Sequence, residues 1–435
     1  MKTRKEDLAI NGGAPVRRTP LPWELPGAHW FGPQEQRLVG QVVKARSPFR
    51  FYGLNLQHMA DKLEAAFRRR FDRKYALAVG SATAGLHIAL GALGLGPGDE
   101  VLLPGYLWIS CLSAIVRLGA IPRLVDINDT FCMDGADLKR KITPHSKAIL
   151  LVHMSGAPGA VDEIAAIARK HNLKLVEDCA QSIGGSLHGR QTGTFGDLAV
   201  FSFQLNKNIS SGEGGMIICD DEHLYKRCFA LHDLGYARTA AGRLDLADPR
   251  YRLWGVGSRM GELPAAMALA QFSKLDRITG AMRRAKWTIR KRLADIPGLE
   301  FRNILDPAGD TGPFLITLYP TAEIADKFTD ALRAEGIRGP EGSFVCLKLT
   351  EWGLHWYANN AGLAAKASIS PSGWPWTDPA NKFARKYRYA RGTLPVCDDL
   401  ASRGGLLTVA SCLTTKDIDD IVRAFRKVAA VYLPR

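Results

Sequence analysis

From about residue 75 the chain alternates short apolar runs with stretches of helical periodicity. The runs "YALAV" (75–79), "VLLP" (101–104), "AILLVH" (148–153), "LKLVEDC" (173–179), "AVFSF" (199–203) and "MIICD" (216–220) each have the length of a buried strand. Between them, "AGLHIALGALGLG", "SCLSAIVRLGA" and "VDEIAAIARKH" space their apolar residues as helices do, the first closing on glycine. Strand, helix and strand in this rhythm predict an α/β fold, a largely parallel sheet covered by helices on both faces. Ligands of such sheets gather at the carboxyl ends of the strands.

The rhythm changes further along. A helical stretch (262–296) leads to "ITLYP" and the amphipathic "AEIADKFTDALRAEGI" (322–337), which predict a smaller α+β unit. Residues 340–395, rich in Trp, Gly, Pro and Ser ("SGWPWTDP"), read as irregular loops. The final "TKDIDDIVRAFRKVAAVYL" keeps Ile418, Ile421, Val422 and Phe425 on one helical face. The expected organisation is an N-terminal arm (1–35), a large unit (36–275) and a smaller C-terminal unit (276–435) carrying the 340–395 insertion.

Composition narrows the class. The 435 residues are 46% hydrophobic and 23% charged, enough for a large globular core. No apolar run approaches the roughly 20 residues that span a bilayer. The opening "MKTRKEDLAINGG" lacks the apolar core of a signal peptide. The eight cysteines form no CxxC pair, so reduced thiols in a cytoplasm, with neither a metal site nor a membrane partner, are expected. The net charge of +15 is spread along the chain. Its densest stretches, "RRRFDRK" (68–74) and "MRRAKWTIRKRL" (282–293), read as solvated helix faces, with attraction for an anionic small substrate as the sharper alternative. No zinc knuckle, helix-turn-helix or aromatic-interleaved basic patch argues for nucleic acid.

The strand ends hold the candidate chemistry. "GSAT" (80–83) follows the first run and puts Thr83 at a helix N-terminus, where unpaired N–H groups favour an anion. Trp108 follows "VLLPGYL", Asp178 ends "LKLVED", and Lys207 sits in "FSFQLNKNISSGEGG" (201–215). Taken singly these are a cap, a core aromatic and a solvated acid. Together they suit pyridoxal 5′-phosphate, which needs an amine to anchor it, a carboxylate to keep its pyridine nitrogen protonated, a flat partner and phosphate donors. Lys207 then serves twice, as covalent anchor and as the base that moves the substrate's proton. Gly212, Gly214 and Gly215 permit tight turns and close backbone approach around it.

The chain also resembles the DegT-type sugar aminotransferases, a branch of the aspartate-aminotransferase-like (fold type I) enzymes. The resemblance runs from "LAINGGAPVR" to "LTTKDIDDIVRAFRKV". It rests on "YALAVGSATAGLHIALGALGLGPGDEVLLPGYLW", "VHMSGAPGAVDEIAAIARKHNLKLVEDCAQSIGG", "FGDLAVFSFQLNKNISSGEGG" and "GVGSRMGELPAAMALAQFSKLD", in that order. It implies a seven-stranded type of sheet, Lys207 as anchor, Asp178 as the nitrogen's partner and Trp108 as the stacking ring. It further implies that Ala82 (through its backbone), Thr83 and Ser202 hold the phosphate and that Gln181 lies beside the phenolic oxygen. Arg259 matches an arginine that meets the donor's carboxylate in relatives; a structural ion pair is the equal alternative.

Two positions depart from the family's pattern. Gly257 stands where an asparagine often reaches the neighbouring subunit's phosphate, and Gln204 where sugar-nucleotide members often carry histidine. Gln204 and the chain's opening look more like the branch acting on cyclitol ketones and free or phosphorylated keto-sugars. The irregular 340–395 segment is longer than the resemblance implies and is expected to shape a particular substrate pocket. The implied activity is transfer of an amino group from glutamate or glutamine to such a ketone, with pyridoxamine 5′-phosphate as carrier, in a homodimer with paired sites. A sugar dehydratase and a non-catalytic regulator of the same fold are the alternatives. In the dehydratases histidine replaces the anchoring lysine.

Overall fold

The computed structural model describes residues 4–239 and 241–434. Its centre is a seven-stranded sheet of β1 (Tyr75–Val79), β2 (Glu100–Pro104), β3 (Ile121–Val125), β4 (Ser146–Val152), β5 (Lys174–Asp178), β6 (Leu198–Ser202) and β7 (Gly215–Cys219), in the order β1-β7-β6-β5-β4-β2-β3. Neighbours run parallel except β7, which is antiparallel to both β1 and β6. The exception follows from the connection. Every earlier pair of strands is joined through a crossover long enough to return the chain, whereas β6 passes to β7 through the loop 203–214 at the same rim.

Both faces of the sheet are buried, which is why its inner strands read as continuous apolar runs. Along β1, Leu77 and Val79 join one core with the helices Ala82–Ala92, Ile109–Val116 and Glu222–His232. Ala76 and Ala78 face the other core, with Met59–Phe71, Glu262–Phe272 and Leu275–Leu293. The stretch 262–296 is thus two helices, broken at Ser273–Lys274.

Sequence periodicity misses β3, because Pro122 and Arg123 interrupt its apolar run. Proline is tolerated there because β3 is an edge strand. Residues from the 340–395 insertion cover that edge: Tyr389 donates its hydroxyl to the Pro122 carbonyl at 2.8 Å, and Arg123 lies 4.2 Å over the Tyr387 ring.

The smaller sheet is antiparallel, Glu300–Phe301, Phe314–Leu318, Gly404–Thr408 and Cys346–Lys348 in spatial order. Helices Ala322–Ala334 and Thr415–Tyr432 pack with it. Thr414 caps the last helix reciprocally with Asp417, and Ile421, Val422 and Phe425 are buried while Ile418 is partly so. Residues 340–395 are not all loop: they supply the strand Cys346–Lys348 and several short helical turns, and Trp356, Tyr357, Tyr387 and Tyr389 are buried in the core of the large sheet. Among the described residues no helix is long and apolar enough to cross a membrane.

Candidate active site

A cavity of about 430 Å³ opens at the carboxyl rim of the large sheet. Ala82, Thr83, Trp108, Asp178, Gln181, Ser202, Gln204 and Lys207 all line it. Arg259 is not among its lining residues.

The strand register explains the convergence. Asp178 ends the central strand β5, level with Val152 of β4 and Val200 of β6. Asp178 is 4% exposed, and its carboxylate keeps two donors: the Ala180 N–H on Oδ1 at 2.9 Å and the Cys111 thiol on Oδ2 at 3.1 Å. Burial, with Asp178 beside it, pushes the Cys111 thiol well above its usual range, so it stays a donor. Cys111 is a site contact that the sequence pattern did not single out. Its position in the first turn after Trp108 was the available signal.

Lys207 lies on the β6–β7 loop, where Gly212 and Gly214 adopt positive φ of 83° and 152°. A Cβ on Gly215 would come within 2.9 Å of the Ala82 nitrogen, so glycine there lets the lysine loop approach the first helix's N-terminus. The arm touches the same loop through Gly27, whose N–H donates to the Lys207 carbonyl at 3.3 Å. Burial lowers the pKa of the half-buried Lys207 ammonium, and Asp178 opposes that shift only in part.

At the helix N-terminus, Ser81 caps the Ala84 N–H at 3.2 Å. The N–H groups of Ala82 and Thr83 keep no partner among the described residues. The Thr83 and Ser110 hydroxyls meet at 2.7 Å, and Ser202 is buried nearby in the same lining. Hydroxyls, free N–H groups, a carboxylate and an amine lining one cavity fit a pyridoxal phosphate molecule.

The insertion supplies a wall that periodicity gave no sign of. Tyr357 donates its N–H to the Gly105 carbonyl and Leu107 donates to the His355 carbonyl, each at 2.9 Å. These bonds dock the segment on the loop that carries Trp108. His355 and Trp352 thereby reach the cavity, with the His355 ring 4.7 Å from Trp108 and stacked on Trp352 at 3.8 Å. Glu24 of the arm also lines the cavity and accepts the Phe344 N–H at 3.0 Å.

A second layer holds the loop after β4. Arg302 is buried and donates to the carbonyls of Thr130 (2.6 Å), Met154 (2.7 Å) and Ala157 (2.8 Å). That loop presents the Ser155 N–H to Gln181 Oε1 at 2.9 Å. Beneath Asp178, Glu177 and His153 pair at 2.8 Å, both fully buried. Burial would raise the Glu177 pKa, but the hydrogen bonds from His153 and the backbone outweigh it and hold the carboxyl below its usual value.

Arg259 pairs with the buried Asp233, which Arg238 also engages. Within one chain this is the ion-pair alternative. Gly257 has φ of 65°, a backbone region that glycine and asparagine share, so its difference from the family's asparagine removes a side chain without demanding a new backbone path.

Residues 54–340 match the DegT/DnrJ/EryC1/StrS aminotransferase family, well over half of the chain. The chain belongs to that family. It is a pyridoxal-phosphate-dependent aminotransferase of fold type I. Solved structures agree in fold. An aminotransferase, TlmJ, from Streptoalloteichus hindustanus is 23% identical, with a TM-score of 0.73 over 92% of this chain and 96% of its own. NtdA from Bacillus subtilis, with bound PMP, is 22% identical, with a TM-score of 0.72 over 95% and 86%. The GDP-4-keto-6-deoxy-D-mannose-3-dehydratase of E. coli, with bound hydrated PLP, is 20% identical, with a TM-score of 0.74 over 94% and 100%.

Proposed function

We propose that this aminotransferase moves an amino group from glutamate or glutamine to the ketone of a keto-sugar, keto-sugar phosphate or cyclitol. The observation that carries it is the meeting of Lys207, Asp178, Trp108 and the Ala82–Thr83 helix end in one cavity. Bound there, pyridoxal phosphate would supply an electron sink for the carbon that loses its proton and, as pyridoxamine phosphate, a carrier for the amino group.

This chain's residues do the rest. Ala82, Thr83 and Ser202 would hold the phosphate, Asp178 would keep the pyridine nitrogen protonated, Trp108 would cover the ring and Gln181 would lie beside the phenolic oxygen. Lys207 would anchor the cofactor and, when free, would take the substrate proton and return it. Its lowered pKa brings the amine nearer the neutral form that this needs. Pro313, Phe314, Phe344 and Trp352 give the cavity an apolar side that displaces water from the reacting atoms. Gln204, also in the lining, is placed to contact the acceptor.

The dehydratase reading is disfavoured because position 207 is lysine, and the regulator reading because Lys207 and Asp178 are both kept. Adding glutamate or glutamine to the holoenzyme should convert the visible band of the lysine-bound cofactor into the near-ultraviolet band of the amine form. A panel of free, phosphorylated and nucleotide-linked ketones should then reverse it. No conversion with either donor sinks the transaminase assignment.

The working unit of this proposal is a homodimer. Supporting it, Tyr52, Leu54, Leu246 and Trp254 are 64%, 83%, 61% and 95% exposed. Tyr52 packs on Phe49, whose ring lies 5.6 Å from the guanidinium of Arg259, the residue that would reach the partner's cavity. Mixing Arg259→Ala with Lys207→Ala chains should restore one working site per hybrid dimer. Verified hybrids without activity defeat the shared site for that residue, and a monomer at working concentration defeats the dimer.

A further inference from the structure

We propose that His355 is a positioning residue of the cofactor site: by fixing the carboxamide of Gln181 it sets how tightly the cofactor's phenolic oxygen holds a proton. This rests on the reading above, in which Gln181 lies beside that oxygen.

The sense of every bond in the relay can be assigned. A carbonyl only accepts, so His355 Nδ1, 2.7 Å from the Trp352 oxygen, carries a hydrogen. Burial, reinforced by Lys207, lowers the imidazole pKa to about 3 against the opposing Trp352 bond. The ring is therefore neutral and Nε2 is an acceptor. Gln181 is oriented independently, because the Ser155 N–H at 2.9 Å requires Oε1 at that end. Its Nε2 then lies 3.4 Å from His355 Nε2 and donates one hydrogen to it. The second amide hydrogen remains for the cavity.

The imidazole is itself held firmly. It stacks on Trp352 with an interplanar angle of 13°, and its own carbonyl is bonded to Leu107. With the acceptor gone, the Gln181 amide loses the contact that keeps its NH₂ end in place. A donor on an anionic oxygen lowers that oxygen's proton affinity, so loosening the donor raises it. The charged groups facing the same cavity are Lys207, Asp178, Glu213 and Glu24. A change at His355 leaves all four in the chain, so differences between variants report the relay.

The test titrates the visible band of the bound cofactor with pH in four holoenzymes: parent, His355→Phe, Gln181→Leu and the double variant. His355→Phe keeps a ring on Trp352 while deleting the acceptor. Its midpoint should rise by about half a pH unit or more. Gln181→Leu should rise at least as far, and the double variant no further, since His355 acts through Gln181. His355→Gln, which offers an amide oxygen to Gln181, should recover part of the shift. In the cofactor-free protein, nitrogen-15 NMR should find the His355 hydrogen on Nδ1 and the ring neutral at pH 5. No shift in His355→Phe, the same shift in both backgrounds, or a hydrogen on Nε2 overturns the inference. A protein that binds no cofactor through Lys207 ends the underlying reading and this inference with it, and the NMR result tells the two failures apart.

Discussion

The rim of the large sheet and the wall laid over it by residues 340–395 build one cavity by opposite means. At the rim, each functional side chain ends a strand or begins the helix that follows. Asp178 is the last residue of β5, Thr83 the second of its helix, and Lys207 lies five residues beyond β6. The regular backbone beneath fixes them. The wall has little regular structure, and a few backbone bonds, Tyr357 to Gly105 and Leu107 to His355, pin it in place. Chemistry sits where position is dictated by the sheet, and shape is made where the chain is free to vary. Damage at the rim should therefore abolish reaction while sparing the fold, and damage at the wall should do the reverse.

Lys207→Ala tests the rim most severely. Turnover should fall by at least about 10³-fold, since covalent anchor and proton carrier vanish together. The visible band of the lysine-bound cofactor should be lost, and its retention would move the anchor elsewhere. The same site gives a stability signature. Burial lowers the folded-state pKa of Lys207 from the ordinary 10.5, so the unfolded chain holds that proton more tightly. The resulting penalty is full below the lowered pKa and is relieved as pH rises toward 10.5. Cofactor-free Lys207→Met should therefore melt above the parent at pH 7, by about 2–4 °C, with the gap closing in alkali. A gap that widens with pH contradicts the burial argument.

Asp178→Asn should keep the fold and cut transamination by about 100-fold, because a neutral amide cannot hold the pyridine proton electrostatically. Near-parental turnover would reassign that partner. Glu177, the neighbouring carboxylate, is a poor substitute, since His153, Gly193, Phe195 and Gly196 already occupy its oxygens.

The rim was legible in the sequence because strand length and helix periodicity are local signals. Six of the seven strands stood out, and the seventh was hidden by Pro122 and Arg123, which only an edge position tolerates. Of the wall only the segment was legible, as a long irregular stretch able to shape a substrate pocket; the residues that do so were not. Trp352 and His355 reach the cavity through pairings with residues some 250 positions earlier, and no local pattern encodes such a bond. Arg302 escaped for the same reason. A lone arginine in "LEFRNIL" gives no hint that its guanidinium will be buried among carbonyls of another sheet's loop.

At the wall, Trp352→Ala should show the reverse balance. Trp352 is 8% exposed and packs on Phe314 at 4.9 Å and His355 at 3.8 Å. Its removal should cost about 3–5 kcal/mol of stability, read by denaturant unfolding. Activity of the fraction that stays folded should fall only about tenfold, mostly through a higher KM for the acceptor, because the remaining rim still fixes the reacting groups. A loss of kcat as deep as that of Asp178→Asn would erase the distinction between rim and wall.

The smallest effect should come from Cys111, the one rim contact supplied by a weak donor. Its thiol lies 3.1 Å from Asp178 Oδ2, while the Ala180 N–H holds Oδ1 at 2.9 Å. The backbone bond is the stronger of the two and survives any change at position 111. Cys111→Ala should therefore leave Asp178 in place and lower kcat by only about two- to fivefold, since a neutral hydrogen bond contributes about 1 kcal/mol or less net. Cys111→Ser separates geometry from volume. A hydroxyl is a better donor than a thiol but forms a shorter bond, so it should restore the alanine variant's loss if it can reach Oδ2. Steady-state kinetics on the two variants, with cofactor affinity measured alongside, reads the outcome. If Cys111→Ala instead falls as far as Asp178→Asn, the carboxylate is held chiefly by its neighbouring helix, and the rim's independence of side-chain packing is lost.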